Sequence, residues 1–329
     1  MTEVLNNRFE LLHKIGSGGF GTVYLGFDLL RKKKVAIKFQ RKLITSEEKS
    51  TASAISTASI EYKTLEHLQT LGAGEGFPEV YYFHEPSKEK DDEYFVMELC
   101  GPSIWDLFHK CNKSFTLKTI LLIADQLIVL LQQLHTAGYL HRDIKPDNIL
   151  MGLSSKSDIL HLVDFGLATK CEVTQKIPEI GKFYPPTVVG TLMFASVSGM
   201  RGGHTHRRDD MEVVEYILLY LLSGGELPWI NLKSANTQQL DEKVTEMKLT
   251  IPPEKLFAGL PFEFPLYCKM IKELHCDDVP QYSVYRRLFR NLAYCLGYQY
   301  DGRFDWKVRA VWNGEDVHIR RRASRSEDE

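Results

Sequence analysis

The eight residues from His141 to Asn148 (HRDIKPDN) carry the most chemically specific pattern in the chain. Asp143 and Asn148 are five positions apart, so one loop can present a carboxylate to a hydroxyl group and an amide oxygen to a metal ion. Lys145 lies between them, where an ammonium group can reach a phosphoryl group in transfer. The spacing predicts Asp143 as the proton acceptor and Lys145 as a catalytic cation that favours Ser or Thr as the acceptor.

A second acidic motif, Asp164-Phe165-Gly166, follows the strand-like segment Ile159–Val163. Such a tripeptide alone is usually only a turn, and its position after the other motifs makes it specific. A carboxylate and an amide oxygen are suitable ligands for Mg²⁺ that also binds phosphates. We therefore expect Asp164 and Asn148 to hold the Mg²⁺ of a bound ATP.

A glycine cluster near the N-terminus lies between two strand-like segments, Phe9–Ile15 and Thr22–Phe27. Glycine lets backbone N–H groups approach phosphate oxygens without a clash at Cβ. A Rossmann loop would run directly into a helix, whereas this cluster runs into a strand, which favours a flap over ATP. The residues predicted to line ATP in this cluster are Ile15, Gly16, Ser17, Gly18, Gly19, Phe20, Gly21 and Val23.

The sequence VAIK ends in Lys38 on the next strand-like segment. A lone lysine on a strand is usually a solvated edge residue. After a glycine flap, however, Lys38 is expected to contact the α- and β-phosphates, with Ala36 beside the nucleotide. Lys38 then needs a carboxylate to hold it. Glu61, which opens the helical stretch Ile60–Gln69, is the predicted partner, and Glu66 on the same helix is the alternative.

The surrounding pattern predicts a small β-rich lobe followed by a larger helical lobe, a bilobal α+β fold. Further strands are predicted at Lys34–Phe39, Val80–His84 and Tyr94–Leu99. Apolar residues at three- and four-residue spacings predict helices at Ser103–His109, Leu117–Ala137, Met211–Leu222, Leu266–Leu274 and Tyr282–Leu296. We assign residues 1–99 to the N-lobe, 100–306 to the C-lobe and 307–329 to a charged tail.

Bulk properties exclude several classes of protein. The 329 residues are 43% hydrophobic with a net charge of −2, so no overall field favours nucleic acid or an anionic membrane. The six cysteines include no C-x-x-C pair, as expected for reduced thiols. No signal peptide is evident, and the apolar run Ile217–Leu222 is far shorter than a membrane span. We expect a monomer in the cytosol, the nucleus or both, without nucleic-acid or membrane partners.

Beyond these motifs, the chain from about Phe9 to Trp306 resembles the casein kinase 1 family. Similar stretches are the hinge-like MELCGPS from Met97 to Ser103, the catalytic loop and the RRDD and LPW sequences that follow it. Ala195–Ser198 stands where this family has Ser-Ile-Asn in place of the usual Ala-Pro-Glu. The C-terminal matches are Tyr282-Ser283, Arg286–Asn291 and Phe304-Asp305-Trp306.

The resemblance implies a Ser/Thr protein kinase that uses ATP and Mg²⁺ and acts on acidic or primed protein substrates. It also implies that Met97 is the gatekeeper and that the backbone of Glu98, Leu99 and Cys100 holds adenine. Asp210 corresponds to the residue that anchors the catalytic loop from below.

Two departures from the family concern substrate binding. Met193 stands where the family has an arginine, and Ser234–Leu240 contains no cation where the family is rich in lysine. Because cations bind a phosphate already on the substrate, we expect a weakened preference for primed substrates. Arg201, Arg207 and Lys233 would partly compensate.

Two further segments are unusual for the family. Thr45–Ser59 lengthens the stretch between Lys38 and Glu61 and is predicted to be an exposed insert. Tyr184-Pro185-Pro186 lies in the segment Ala168–Gly190, where it would alter substrate docking.

Several alternatives remain at this point. Tau-tubulin kinases and vaccinia-related kinases are relatives, although the hinge and the C-terminal matches favour casein kinase 1. A catalytically inactive scaffold would lack at least one of Lys38, Asp143, Asn148 and Asp164, and all four are present. A small-molecule kinase of related fold would lack the long segment Leu167–Gly199.

Overall fold

The computed structural model describes residues 3–18, 21–40, 56–85, 92–171, 191–232 and 236–317. The chain forms two compact units. Unit 1 holds the residues up to Cys100 together with His161–Ala168, and unit 2 holds Gly101–Leu160 and the residues from Thr169 onward. The sequence placed His161–Ala168 in the helical lobe, whereas its contacts are with unit 1. The lobe boundaries that we assigned stay a prediction.

Within its described residues, unit 1 is an antiparallel sheet with one helix. Its elements are β1 (Val4–Leu5), β2 (Phe9–Gly18), β3 (Gly21–Asp28), β4 (Lys33–Gln40), α1 (Thr57–Thr70), β5 (Val80–His84) and β6 (Tyr94–Glu98). Unit 2 is mostly helical. It begins with α2 (Ile104–Lys110), α3 (Leu117–Thr136), β7 (Tyr139–Leu140) and β8 (Ile149–Met151). The short strand β9 (Leu160–Leu162) straddles the boundary between the units.

The rest of unit 2 consists of β10 (Thr169–Lys170), α4 (Val197–Met200), α5 (Arg207–Leu222), α6 (Thr237–Thr250), α7 (Pro253–Leu256), α8 (Glu263–Lys272), α9 (Tyr282–Cys295) and α10 (Asp305–Val308). Single 3₁₀ turns lie at Pro146–Asn148, Ser154–Lys156 and Phe165–Leu167. Most predicted elements lie within a few residues of their predicted bounds. The structure adds α6, a helix of 14 residues that the sequence pattern had not predicted.

The sheet of unit 1 has the strand order β1-β2-β3-β4-β6-β5. Phe9, Val35, Ile37 and Val96 are fully buried in its core. The register pairs Lys38 on β4 with Phe95 on β6. Strand β4 therefore lies inside the sheet, paired on both sides, and carries Lys38 into a buried position.

Helix α1 is held in place at its N-terminus. The hydroxyl of Ser56 caps the helix by accepting the N–H of Ser59 at 3.0 Å. The N–H of Ala58 donates to the side chain of Gln40, at the end of β4, at 3.1 Å. Glu61 lies one turn after Ala58 on the buried face. The start of α1 is thus tied to the strand that carries Lys38.

Helix α3 is the central helix of unit 2. By length and composition it could cross a membrane, a possibility that the sequence argument missed because it considered only the apolar run Ile217–Leu222. However, 67% of the most apolar window of α3 is buried inside the protein. Packing in unit 2 therefore accounts for its composition. Asp125 on α3 accepts bonds from Arg286 at 2.9 Å and Arg290 at 2.8 Å, which joins α3 to α9. These guanidinium groups lower the pKa of Asp125, although its burial acts in the opposite direction.

Candidate active site

The predicted ion pair in unit 1 is present. Lys38 Nζ lies 2.5 Å from Glu61 Oε2 and 2.8 Å from Asp164 Oδ1. Glu66, the alternative partner, instead accepts a hydrogen bond from the hydroxyl of Tyr62 at 2.9 Å. The ammonium group is therefore held by two carboxylates from different segments of unit 1.

Burial and charge act in opposite directions on this cluster. Burial alone would lower the pKa of Lys38, but the charges of Glu61 and Asp164 outweigh it and raise that pKa. Burial raises the pKa of Glu61, and the charge of Lys38 cancels only part of this increase. Lys38 therefore stays positively charged at neutral pH and can attract a further anion.

Asp164 has an unusual backbone conformation. It follows β9 with φ at +66°, in the left-handed region that a residue with a Cβ rarely adopts. The next residue, Phe165, is fully buried, and its ring centroid lies 6.1 Å from that of Phe77. Such strain persists where the surrounding structure enforces it, and it turns the carboxylate of Asp164 towards Lys38.

The glycines at the end of β2 and the start of β3 differ in whether the structure could accommodate a Cβ at their positions. A Cβ on Gly21 would lie 2.1 Å from the carbonyl oxygen of Phe39, so packing within the sheet requires glycine there. A Cβ on Gly18 would have no neighbour within 4 Å among the described residues, and one on Gly16 would make only ordinary contact. Packing among the described residues therefore leaves open space at Gly18.

The other predicted ATP-lining residues of unit 1 lie along the same sheet. Ile15, Gly16 and Ser17 are on β2, and Val23 on β3 pairs with both Gly16 and Lys38. Gly19 and Phe20 lie outside the described residues.

The hinge-like segment begins at the end of β6. Met97 pairs with Ala36 in the sheet and is buried, as are Leu99 and Cys100. The N–H of Glu98 donates to the carbonyl of Glu79 at 2.7 Å, so that N–H is already used within the protein. A contact from Glu98 to adenine would have to involve another of its atoms. The adenine-binding role of this segment stays a prediction.

The catalytic loop lies in unit 2, and its side chains converge on Asp143. Lys145 Nζ lies 2.6 Å from Asp143 Oδ2, and Asn148 Nδ2 donates to the carbonyl of Asp143 at 2.8 Å. The N–H and the hydroxyl of Thr191 both donate to Asp143 Oδ1 at 3.1 Å. Lys145 Nζ also reaches the Thr191 hydroxyl at 3.1 Å. The amide of Asn148 therefore faces Asp143 with its nitrogen and keeps its oxygen for another ligand.

Asp210 on α5 anchors this loop. It accepts the N–H of His141 at 2.8 Å, the N–H of Arg142 at 3.0 Å and His135 Nε2 at 3.0 Å. Burial alone would raise the pKa of Asp210, but these hydrogen bonds and the nearby histidines lower it. Arg142 has φ at +70°, and its bond to Asp210 supports that strained turn.

Lys248 on α6 is a contributor that the sequence interpretation missed. It is 3% exposed, and its Nζ donates to the carbonyls of Ala195 at 2.7 Å and Leu192 at 3.2 Å. Leu192 and Ala195 lie one and four residues after Thr191, the residue bonded to Asp143. Lys248 thus holds the backbone segment that follows Thr191. Its position follows Leu240 and Val244 at four-residue steps, the pattern that could have revealed it.

Two aromatic rings also contact the ammonium group of Lys248. The ammonium of Lys248 lies 4.5 Å from the ring centroid of Tyr216 and 5.0 Å from that of Trp229. Trp229 Nε1 donates to the carbonyl of Met193 at 2.9 Å. Burial lowers the pKa of Lys248 to about 7, an effect that the carboxylates of Glu212 and Glu215 oppose. Met193 is held by its backbone carbonyl, and its side chain carries no charge.

A comparison with protein families decides the assignment. The family described as protein kinase domain matches residues 9–277, more than half of the chain. The chain belongs to the protein kinase domain family. The sheet of unit 1 and the helices of unit 2 accordingly fit the bilobal kinase fold, which confirms the predicted fold class. The protein is a kinase domain, and protein kinases transfer a phosphoryl group from ATP with Mg²⁺.

The kinase's predicted site residues form two groups, one within each unit. Lys38, Glu61 and Asp164 contact one another in unit 1, and Asp143, Lys145 and Asn148 do so in unit 2, as described above. Among the described residues, no group of three His, Cys, Asp or Glu side chains could by itself hold a metal ion.

Several sequence predictions lie outside the described residues. These are Lys233, residues 45–55 of the predicted insert, Tyr184-Pro185-Pro186 and the part of the predicted tail from residue 318 onward. The rest of the insert, Ser56–Ser59, is the N-cap and first turn of α1, and it is half-buried or buried and not exposed as predicted.

Proposed function

We propose that this kinase is a Ser/Thr protein kinase of the casein kinase 1 type. It would transfer the γ-phosphoryl group of ATP to Ser or Thr hydroxyls of acidic or primed protein substrates. The observation that carries this proposal is the network of Asp143, Lys145 and Thr191. A lysine two residues after the catalytic aspartate suits the short reach of a Ser or Thr hydroxyl, and here it is bonded to that aspartate at 2.6 Å.

The residues of unit 1 fit a triphosphate. Lys38 remains charged because two carboxylates support it, and it would bind the α- and β-phosphates. The open space at Gly18 would admit phosphate oxygens close to the backbone of β2. Asp164 would contribute one oxygen ligand to Mg²⁺, and that ion, when bound, would neutralise phosphate charge.

The residues of unit 2 fit the acceptor side of the reaction. Asp143 would orient the substrate hydroxyl and accept its proton. Lys145 would balance charge on the transferring phosphoryl group, and the free amide oxygen of Asn148 would be the second protein ligand to Mg²⁺. Phosphoryl transfer depends mainly on alignment and charge neutralisation, and this network supplies both.

Acceptor specificity can be tested directly. The purified full chain would be incubated with Mg-ATP and three peptides that differ only in a central Ser, Thr or Tyr within acidic residues. We expect phosphate on the Ser and Thr peptides and little on the Tyr peptide. Equal or greater labelling of Tyr would contradict the Ser/Thr assignment while leaving kinase activity intact.

Dependence on priming is a second test. One Ser peptide would be assayed with and without a phosphoserine three residues before the acceptor, the priming position implied by the family. Because Met193 offers no cation, we expect less than about a threefold advantage for the primed peptide. A large advantage would refute the weakened preference. Profiling on a peptide library would separate the casein kinase 1 type from the tau-tubulin and vaccinia-related types.

A further inference from the structure

Unit 2 contains a cavity that is lined in part by Lys248, the residue that holds the carbonyls of Leu192 and Ala195. The cavity has a volume of about 340 Å³, and cationic side chains from three helical segments meet around it. Arg201 follows the end of α4, Arg208 lies in the first turn of α5 and Lys272 ends α8. Buried Lys248 lies on another side. Four basic residues thus surround one pocket.

These cations form no direct ion pair within the described residues, although two of them interact with nearby carboxylates, Lys272 with Glu215 and Arg208 with Asp209. Arg208 donates to the carbonyl of Leu274 at 2.8 Å, and Lys272 Nζ lies 3.4 Å from the carbonyl of Lys248. Arg201 is exposed and makes no side-chain bond within the described chain. None of Arg201, Arg208 and Lys272 forms an ion pair there. Their charges are therefore available to an anion that enters the pocket.

One acidic residue, Glu212, also lines the pocket. Its carboxylate accepts the N–H of Val197 at 3.0 Å and the hydroxyl of Tyr216 at 2.6 Å. Burial raises the pKa of Glu212. Three basic residues, Arg201, Arg208 and Lys272, thus face one carboxylate in the lining.

We propose that this pocket binds the phosphate group of a phosphorylated protein substrate. Arginine forms bidentate, charge-assisted bonds with phosphate, and Lys272 adds a point charge. The pocket is large enough for the side chain of a phosphoserine. The proposal deepens the proposed function, on which it rests, by specifying a second position at which phosphate on the substrate would be recognised.

The chain connects this pocket to the catalytic loop. Val197 and Ser198 line the cavity, and Thr191, bonded to Asp143, lies six residues before Val197. Even a fully extended chain between Thr191 and Ser198 would span at most ~25 Å, a distance that about seven peptide residues can bridge. The backbone between them is fixed by Lys248, so the two sites cannot separate freely. A substrate held here would keep its acceptor within reach of Asp143.

The first test is a positional scan with the full chain. Peptides would carry one acceptor Ser in a neutral sequence and one phosphoserine at each position within about eight residues on either side. We expect one position, other than three residues before the acceptor, where phosphate raises kcat/KM by about tenfold. A flat profile with clear activity on the unmodified peptide would overturn the pocket and leave the kinase assignment standing. No activity on any peptide would instead contradict the proposed function.

Variants then assign the effect to the pocket. Arg201→Ser combined with Lys272→Gln should lower the ratio of phosphorylated to unphosphorylated rates towards one. Arg287→Ser combined with Lys110→Gln also removes two charges, from exposed positions of α9 and α2 outside the pocket lining, and is the matched control. That control should keep the ratio. An unchanged ratio in the double variant, or an equal loss in the control, would show general attraction by surface charge and refute the proposal.

Direct binding gives an independent readout. Anisotropy of a labelled phosphopeptide, chosen from the scan, should show saturable binding that inorganic phosphate displaces and that the double variant weakens. Binding of equal strength by the unphosphorylated peptide would contradict recognition of phosphate. Displacement by sodium chloride as effective as that by phosphate at equal ionic strength would indicate unspecific charge attraction and would also contradict it.

Discussion

Two buried lysines, Lys38 in unit 1 and Lys248 in unit 2, are held by opposite means. Lys38 is 7% exposed and contacts two carboxylates, which raise its pKa. Lys248 is 3% exposed and contacts two carbonyls and two aromatic rings, and burial lowers its pKa. Both ammonium groups are buried, yet only Lys38 contacts carboxylates directly, whereas Glu212 and Glu215 act on Lys248 without forming an ion pair.

The different partners of the two lysines indicate different roles. Carboxylate partners keep Lys38 charged, so it can attract phosphate while Glu61 fixes its direction. Carbonyl dipoles and ring faces satisfy Lys248 without an anion, which suits it to hold a backbone segment in one conformation. We therefore propose that Lys38 binds nucleotide and that Lys248 positions the residues that follow Thr191.

Removing Lys38 should have the largest effect. Lys38→Met should lower kcat/KM by about 10²- to 10³-fold, because charge stabilisation at the phosphates is lost. It should also destabilise unit 1, since Glu61 and Asp164 would lose their cation. Kinase rates and urea unfolding would measure the two effects.

A double variant separates these two losses. Lys38→Met with Glu61→Gln removes the unpaired buried charge and should recover stability without recovering activity. Recovery of activity together with stability would show that Lys38 acts only on folding, and would contradict its role at the phosphates.

Replacing Lys248 should have a smaller and more selective effect. Lys248→Met frees the carbonyls of Leu192 and Ala195, so kcat/KM for a peptide should fall about tenfold through the loss of one or two bonds. The KM for ATP should stay unchanged. Lys243→Met, at an exposed position of the same helix, is the control and should leave both values unchanged. An equal rise in the KM for ATP would contradict the positioning role.

Alanine variants of Gly18 and Gly21 test whether a bound nucleotide occupies the space at the end of β2. Gly18→Ala should raise the KM for ATP a few-fold and leave the melting temperature unchanged, because its Cβ meets no protein atom among the described residues. Gly21→Ala should instead lower the melting temperature, because its Cβ would clash with the carbonyl of Phe39. Thermal unfolding and ATP titration distinguish the two. Unchanged ATP affinity in Gly18→Ala would remove this support for a phosphate-binding flap.

The smallest expected effect is a difference in how stability depends on pH. The unfolded chain keeps the proton of Lys248 up to about 10.5, whereas burial lowers its folded pKa to about 7. Between these values the unfolded state binds more protons, so Lys248 makes stability rise with pH and costs stability as pH falls towards 7. Lys38 has a raised pKa, so its contribution is complete in this range and is lost only at higher pH.

The neighbours of Lys248 define the useful pH range. Burial raises the pKa of Glu215 to about 8, which makes stability fall with pH below that value and masks the effect of Lys248 there. Glu212 also has a raised pKa, and Cys268 and Tyr216 keep their protons in the folded state while the unfolded chain loses them near pH 9 and 10, which lowers stability with rising pH in the unmodified protein and in Lys248→Met alike. Urea unfolding between about pH 8 and 10 should therefore show a shallower rise in Lys248→Met than in the unmodified protein. Equal slopes would contradict a buried Lys248 with a lowered pKa.

The two lysines also show how far sequence reasoning reaches. Lys38 was predicted because it belongs to an ordered series of motifs, and Glu61 because it opens the helical stretch that follows Lys38. Lys248 was missed because the residues around it on α6 are mostly polar, which hid a helix with few apolar positions. Only its four-residue spacing from Leu240 and Val244 indicated a buried site.

The cationic pocket could not be predicted from the sequence. Arg201, Arg208 and Lys272 come from separate segments, and only the packing of α4, α5 and α8 brings them to one cavity. Asp210 was predicted only through its resemblance to a family position, since no local pattern indicates that it accepts two backbone N–H groups of the catalytic loop. Contacts between distant segments depend on tertiary packing, which periodicity does not encode.

The central claim is that Asp143 accepts the proton of a substrate hydroxyl. Its most direct test is single-turnover transfer of labelled phosphate from ATP to a Ser peptide, comparing the purified full chain with Asp143→Asn. We predict a loss of at least about 10²-fold in the transfer rate, with ATP affinity and melting temperature nearly unchanged. Transfer by Asp143→Asn at a rate close to that of the unmodified protein would contradict the account.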